Sequence, residues 1–419
     1  MKYPPKYFCS PGLKRYPPKL IEKGLQMFND MIAIKTPIVG ETGIKGVLLD
    51  FNCGLRLQIP RGKFHVRISD GASGVILFDE AVEATTLISM EKYFIEWEIA
   101  IWQDGEPVFF HQFDPRGQNV HFIFAQPPLG DNLAMLPYAE EFRKRFDCNL
   151  SCKVFPAFEE IVRRYYPRLK LSKLPPEDTY ACYYFAGWMN LPIATPTDLR
   201  SMPIELFARA ILNTPKIRRP PKVIFTPTKP REIPEPYVCI GVQASYTPKC
   251  WFAPNGWDDV VVHLKELGYR VLCIDRDCEC TNYGMTVKQP AGVEDFSGKY
   301  DLLDRINQLA YADFFIGVSS GLAWLAWSVD IPVVMISGIT EPWNEFDTAY
   351  RVSNPLVCHG CFNSIAVDPL KLLECNRYKG TEQVYECSKK ISARQVIDAI
   401  DQLIADRNLM GGNNIDSSD

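Results

Sequence analysis

The stretch VHFIFAQPPLGDNLAMLPYAEEFRKRF, Val120 to Phe146, decides how this chain is read. His121-Phe122-Ile123-Phe124-Ala125 is a short, almost wholly apolar run, as expected of a parallel strand covered on both faces. Gln126-Pro127-Pro128-Leu129-Gly130 breaks it. Leu133, Leu136, Tyr138, Phe142 and Phe146 then recur at roughly helical spacing, with Glu140, Glu141, Arg143, Lys144 and Arg145 on the other positions. Asp131 therefore falls beyond the carboxyl end of a strand and at the start of a helix, where open α/β sheets hold their ligands. A plain N-cap would put an aspartate at the same point. Because the strand begins only near residue 120, something else precedes the α/β unit.

Upstream, from Val47 to Phe113, the texture is that of short strands. GVLLDFNCG, LRLQIP, FHVRISDG, GVILFDE, FIEWEIAIWQDG and PVFFHQF show alternation or short apolar runs, ended by Gly, Pro, Asn or Asp. With Asp70-Gly71 and Asp104-Gly105 as turns, they predict an antiparallel sheet or small barrel. Residues 1–40 are Pro-rich and predict an extended arm with one helix around Ile21 to Met31. Downstream, CNLSCKVFPAF, EEIVRRYYPRLKL and TYACYYFAGWMN continue the strand–helix alternation, and Ile204 to Leu212 reads as a helix. IRRPPKVIFTPTKPREIPEPYV lacks helical periodicity and reads as an interlobe linker. A second alternation follows: YVCIGVQAS, WDDVVVHLKELG, YRVLCID, LLDRINQLAYA, DFFIGVSS, GLAWLAWSVD and PVVMISG. A Cys-rich insertion at 358–387 and a last helix, Ser392 to Asp406, complete the chain. The pattern predicts paired Rossmann-like domains with a cleft between them, preceded by a β-domain. The expected division is 1–118 arm and β-domain, 119–220 first Rossmann-like domain, 221–345 second, 346–390 finger, and 391–419 C-terminal helix and tail.

The chain has 419 residues, a net charge of −4 and 47% hydrophobic content, enough for two or three cores. That charge gives no reason to expect nucleic acid or an anionic membrane surface. The N-terminus carries two YPPK copies and no apolar core of a secretory signal. No run approaches the ~18 apolar residues of a membrane span. Fourteen cysteines without a signal point to a reducing, cytoplasmic setting, where they are thiols or metal ligands.

Three loops after predicted strands in the second half suit an anion. Gln243-Ala244-Ser245-Tyr246-Thr247-Pro248-Lys249 offers hydroxyls and one Lys for a phosphate, although a solvated surface Lys would look the same. Val318-Ser319-Ser320-Gly321-Leu322 is a strand-to-helix turn whose small residues let a pyrophosphate approach backbone N–H groups. Ser337-Gly338-Ile339-Thr340-Glu341-Pro342-Trp343 follows another apolar strand. Neither GxxxxGK[ST] nor GxGxxG occurs, which disfavours a P-loop or a dinucleotide fingerprint. Arg305 and Asp304 open a helix and could contact sugar or ribose, or form only a surface ion pair. Asp114, in HQFDPRGQ, is the alternative to Asp131 as a catalytic base. No DxD-type metal site stands in the nucleotide loops.

Cys358, Cys361, Cys375 and Cys387 have the spacing C-x2-C-x13-C-x11-C. Four thiolates of this kind fit a closed, structural tetrahedral site for zinc or a single iron. Four unrelated buried thiols are the plainer alternative. His359 reads as a loop residue, and Cys278 and Cys280 as ordinary thiols.

Gly130-Asp131-Asn132-Leu133 with Pro137 resembles the glycine-aspartate loop of the lipopolysaccharide heptosyltransferases, inverting enzymes of the GT-B fold. The Lys249 loop and Ser320-Gly321-Leu322 resemble that family's nucleotide-diphosphate contacts. The β-domain and four-cysteine finger, absent from those enzymes, resemble the bacterial autotransporter heptosyltransferase family, over the chain from about Val47 to the last helix. The resemblance implies an ADP-heptose donor and serine hydroxyls of an autotransporter passenger protein as acceptor. It also implies one iron per chain in the finger, with zinc the alternative from ligand type, and a ring-like homo-oligomer such as a dodecamer. The chain departs from the lipid-sugar pattern in Ser319-Ser320, where Asp-Thr is usual, and in Trp324, where His is common. Two other readings stand beside this one: a heptosyltransferase acting on lipopolysaccharide, and a non-catalytic oligomeric adaptor for a surface protein.

Overall fold

The computed structural model describes residues 2–32, 37–124, 127–185, 191–213, 220–282, 285–367 and 374–409. The chain separates into two compact units. The first comprises residues 1–126, 135–199 and 206–221; the second comprises 127–134, 200–205 and 222–419. Among the described residues no helix is long and apolar enough to cross a membrane.

The first unit opens with β1 (Pro5–Phe8) and α1 (Pro18–Ile32), then β2 (Leu48–Asn52), β3 (Arg56–Ile59), β4 (Phe64–Asp70), β5 (Ile76–Val82), β6 (Thr85–Ser89), β7 (Trp97–Gln103) and β8 (Glu106–Gln112). It continues through β9 (Asn119–Phe124), α2 (Leu129–Met135, whose first six residues pack with the second unit), α3 (Pro137–Phe146), β10 (Asn149–Val154), α4 (Glu159–Tyr165), β11 (Lys170–Leu171), β12 (Ala181–Tyr184) and α5 (Phe207–Ile211). β5, β4, β7 and β8 form an antiparallel sheet of four strands, in that order. Its β7–β8 turn is the expected Asp104-Gly105, with both φ positive at 50° and 91°, the conformation a tight hairpin demands. At Asp70-Gly71 the connection is longer, and Gly74 carries the positive φ.

The remaining strands do not form a separate β-domain. They join one eight-stranded sheet in the order β1-β6-β3-β2-β12-β9-β10-β11. β2 pairs in parallel with β12, placing Phe51 opposite Ala181. A boundary at 118 therefore falls inside one sheet. The physical reason is that β2 is buried on both neighbouring sides, as its LLDFN run allows, and needs a partner at each edge. β6, at Thr85–Ser89, escaped sequence reading and supplies the link to β1. Phe122, Phe124, Phe142, Tyr183 and Phe185 are nearly wholly buried and pack ring against ring, each such burial contributing about 1.5–3 kcal/mol. The single helix expected after β9 is divided in two at Pro137, which has no N–H to continue the ladder and becomes the first residue of α3. Ala125 and residues 186–190 of the expected strands, and Gln126 of the loop after the first, lie outside the described residues.

The second unit holds β13 (Tyr237–Gly241), α6 (Gly256–Glu266), β14 (Arg270–Cys273), β15 (Glu279–Asn282), β16 (Met285–Lys288), β17 (Glu294–Asp295), α7 (Leu302–Ala310), β18 (Phe315–Val318), α8 (Gly321–Ser328), β19 (Val333–Ile336), β20 (Arg351–Val352), α9 (Glu386–Lys389) and α10 (Ala393–Arg407). Its main sheet is parallel throughout, ordered β17-β14-β13-β18-β19-β20. Counting its strands by sequence, and setting aside the β15–β16 hairpin, this is 3-2-1-4-5-6, the Rossmann order. Its strands are continuous apolar runs because both faces are covered. α10 closes one face: Val396, Ile400, Leu403 and Ile404 join Val260, Val261 and Leu264 of α6 in one core. Ser392 caps α10 in a capping box with Gln395.

Candidate active site

In the second unit the strand order reverses between β13 and β18, and open α/β sheets bind ligands at such a switch point. The first two expected anion loops leave these two strands, and the third leaves β19, so all three lie at the carboxyl edge of one parallel sheet. In the second loop Ser320 precedes α8 without capping it through its side chain. Its Oγ is buried without a hydrogen-bond partner among the described residues. Ser319 turns the other way and donates to Glu345. Glu345 also accepts from Thr340 at 3.2 Å and pairs with Arg351 at 2.8 Å, while Thr340 bonds Ser337 at 2.6 Å. This buried network ties the second loop to the third.

The Asp131 segment packs with this unit through two glycines. A Cβ on Gly130 would stand 2.6 Å from Cδ1 of Trp324, and one on Gly321 would stand 2.5 Å from Cβ of Leu129. Only hydrogens at both positions let the acid's turn lie against the start of α8. Trp324 thus fills the space beside Gly130 and meets Trp327 and Phe346 edge to face. Gly321→Ala is expected to keep the fold but displace this turn, lowering transfer by an order of magnitude or more, since a small misplacement can cost ~10²-fold. A Gly321→Ala variant with wild-type turnover would refute the role assigned to this close approach.

Asp131 lies in the first turn of α2 rather than at its cap. As a residue it keeps some exposure, but its carboxyl is enclosed, and burial pushes it up from the ordinary aspartate value. Lys249 supplies the opposing attraction. Lys249 is half-buried, and its Nζ lies 5.6 Å from the Tyr246 ring and 5.9 Å from the Phe362 ring. Among the described residues it forms no ion pair. Ser245 is exposed, and Trp343 is 43% exposed at the third loop.

The alternative base behaves in the opposite way. Asp114, in the first unit, sits in an exposed ion pair with Arg116 at 2.6 Å, and that guanidinium holds its carboxyl below the ordinary value. An exposed, depressed acid is a poor proton acceptor at neutral pH. Arg305 is buried, and its terminal nitrogens donate to the carbonyls of Phe296, Asp275 and Gly298 and to Gln308. It braces the strand ends, while Asp304 pairs with Lys229 at 2.7 Å rather than with Arg305. Three residues that sequence reading passed over complete the frame. Asp275, the acid ending YRVLCID, accepts from the amides of Val242 at 2.8 Å and Gln243 at 3.3 Å, and burial pushes it up to about 6. Its place directly after an apolar strand was the available signal. The Glu345–Arg351 pair had none.

The four finger cysteines share one neighbourhood. Burial pushes Cys361 up to about 11 and Cys387 up to about 12, and the negative charge of the other finger thiols adds to each. Among the described residues no group of three or more His, Cys, Asp or Glu side chains is arranged to hold a metal ion. The donor chemistry nevertheless fits one, since a bound cation offsets the charge that four thiolate ligands bring together. Cys278 is exposed, and Cys280 lies on the β15–β16 hairpin.

A Rossmann-ordered sheet whose switch point carries a lysine, an open helix start and a raised carboxyl has the equipment of a sugar-nucleotide glycosyltransferase. Residues 43–105 match the family model for the glycosyltransferase TibC N-terminal domain, and residues 216–361 match glycosyltransferase family 9 (heptosyltransferase). The autotransporter heptosyltransferase TibC of Escherichia coli O78:H11 is 37% identical over 87% of this chain and 91% of its own length. The autotransporter heptosyltransferase BAHTCr of Citrobacter rodentium is 38% identical over 87% and 90%. The crystal structure of dodecameric iron-containing heptosyltransferase TibC in complex with ADP-D-beta-D-heptose matches with a TM-score of 0.84 at 35% identity, over 89% of this chain and all of that one. The chain belongs to the autotransporter heptosyltransferase family.

Proposed function

We propose that this chain transfers heptose from ADP-heptose to serine hydroxyls of an autotransporter passenger, with inversion at the anomeric carbon, in a GT-B arrangement of two Rossmann-like lobes. The observation that carries the reading is the enclosed Asp131 carboxyl, raised by burial and answered by Lys249 beside a helix start. Asp131 takes the proton from the serine Oγ as that oxygen forms its bond to C1 of the sugar. The bond from C1 to the phosphate oxygen breaks on the opposite face, and ADP leaves with the electron pair. Lys249, the Ser320 hydroxyl and the N–H groups opening α8 neutralise its developing charge. Ser245 and Trp343 are the remaining donor contacts of this reading, and Ser319 acts on the donor side through Glu345, to which it donates.

Cys358, Cys361, Cys375 and Cys387 would hold one iron, or zinc, as a closed structural crosslink. TibC is described as iron-containing and dodecameric, which supports the same metal and a ring-like homo-oligomer here. Cysteines not joined in disulfides support a reducing, cytoplasmic setting.

The test is direct. Purified protein incubated with ADP-heptose and a passenger fragment should release ADP and add heptose masses to the passenger. Neither signal, under conditions in which TibC gives both, would sink the proposal. Lys249→Ala should weaken ADP binding, because one charge-assisted phosphate contact is worth roughly 1.5–3 kcal/mol. Calorimetry finding unchanged ADP affinity in that variant would remove Lys249 from the donor site.

A further inference from the structure

The Cys finger meets the donor loops directly. The Gly360 amide donates to Gly338 O at 3.0 Å and the Phe362 amide to Ile339 O at 3.0 Å, so the finger's first turn runs along the third loop. Asn363 accepts from the Glu341 amide at 2.9 Å and donates to Asn344 at 2.8 Å and to Arg200 O at 3.1 Å. A Cβ on Gly338 would stand 2.4 Å from Cys387 O, so the far end of the finger presses on the same loop. Phe362, one residue beyond Cys361, brings its ring within 5.9 Å of Lys249 Nζ. Tyr246 offers Lys249 a second ring at 5.6 Å.

We propose that Phe362 and Asn363 are positioning residues for the donor diphosphate, through which the finger sets the place of Lys249 and of the third loop. The inference rests on the donor reading given above. A lysine on a flexible stem loses rotamer freedom when it must meet a phosphate. Two aromatic faces that hold its ammonium beforehand reduce that loss, and ring attraction is strongest for a partly desolvated cation. Asn363 does the corresponding work on the backbone by fixing the segment that carries Glu341 and Asn344.

The experiment uses the full-length metal-loaded protein, with ADP titrated by calorimetry and metal content measured by elemental analysis. Phe362→Leu keeps apolar bulk and removes the π face; Phe362→Tyr keeps the face. Phe362→Leu should raise the Kd for ADP and the KM for ADP-heptose roughly two- to thirty-fold, leaving kcat and metal content near wild type. Phe362→Tyr should restore both, and Asn363→Ala should also weaken ADP. Wild-type affinity within twofold in both Phe362→Leu and Asn363→Ala overturns the proposal. Metal loss shared by Phe362→Leu and Phe362→Tyr also overturns it, because the ring would then merely pack the finger. A wild-type chain that binds no ADP overturns the donor reading itself, and this coupling with it.

Discussion

Asp131→Asn should abolish heptose transfer while leaving ADP binding and the fold intact. The loss should be ~10²–10⁴-fold, the usual contribution of a positioned base. The sign of the stability effect separates chemistry from damage. Burial raises the Asp131 carboxyl, so the folded state prefers the protonated form. Its ionisation at neutral pH therefore costs stability, present below the unfolded value and lost as pH rises through the folded one. Replacing it with a neutral isostere should leave thermal stability unchanged or higher. The same direction governs the rate. Transfer needs the ionised base, so kcat/KM should fall on acidification with an apparent midpoint above the ~3.9 of a free aspartate. An Asp131→Asn enzyme that turns over within a few-fold of wild type would end the assignment. Asp114→Asn, at an exposed acid paired with Arg116, should by contrast change little.

Cys361→Ser should empty the finger of metal and destabilise the second unit. A segment the size of the finger holds too little apolar surface to order itself, and structural metal binding is worth on the order of 10 kcal/mol in small thiolate sites. The raised thiols set the pH sense: they must ionise to bind, so metal affinity should increase with pH and loading should release protons. Elemental analysis, with thermal unfolding before and after chelation, measures both parts. A reddish protein with thiolate-to-iron absorption supports iron, and a colourless one containing zinc supports zinc. Freshly purified wild-type protein containing no metal would refute the finger as a metal site. Damage should reach the donor side, because Gly338 of the third loop lies against Cys387.

By itself the sequence determined the elements and their chemistry. The periodicity of FHVRISD, the apolar runs of the second-half strands and the aspartate–glycine turn at Asp104-Gly105 are local, carried by residues a few positions apart, and they were legible. So were the acid after β9, the lysine loop and the cysteine spacing. Tertiary structure alone decided what met what. Strand order joined β2 to β12 and erased the boundary expected at residue 118. Close approach made Gly130 and Gly321 necessary, one against Trp324 and the other against Leu129. Burial turned Arg305 from a candidate ligand contact into a brace and paired Glu345 with Arg351. It also set the preferred aspartate apart from its alternative, raising Asp131 by desolvation and lowering Asp114 through Arg116. Such outcomes depend on groups far apart in the chain and on the water they lose, and neither leaves a periodic trace in the order of residues.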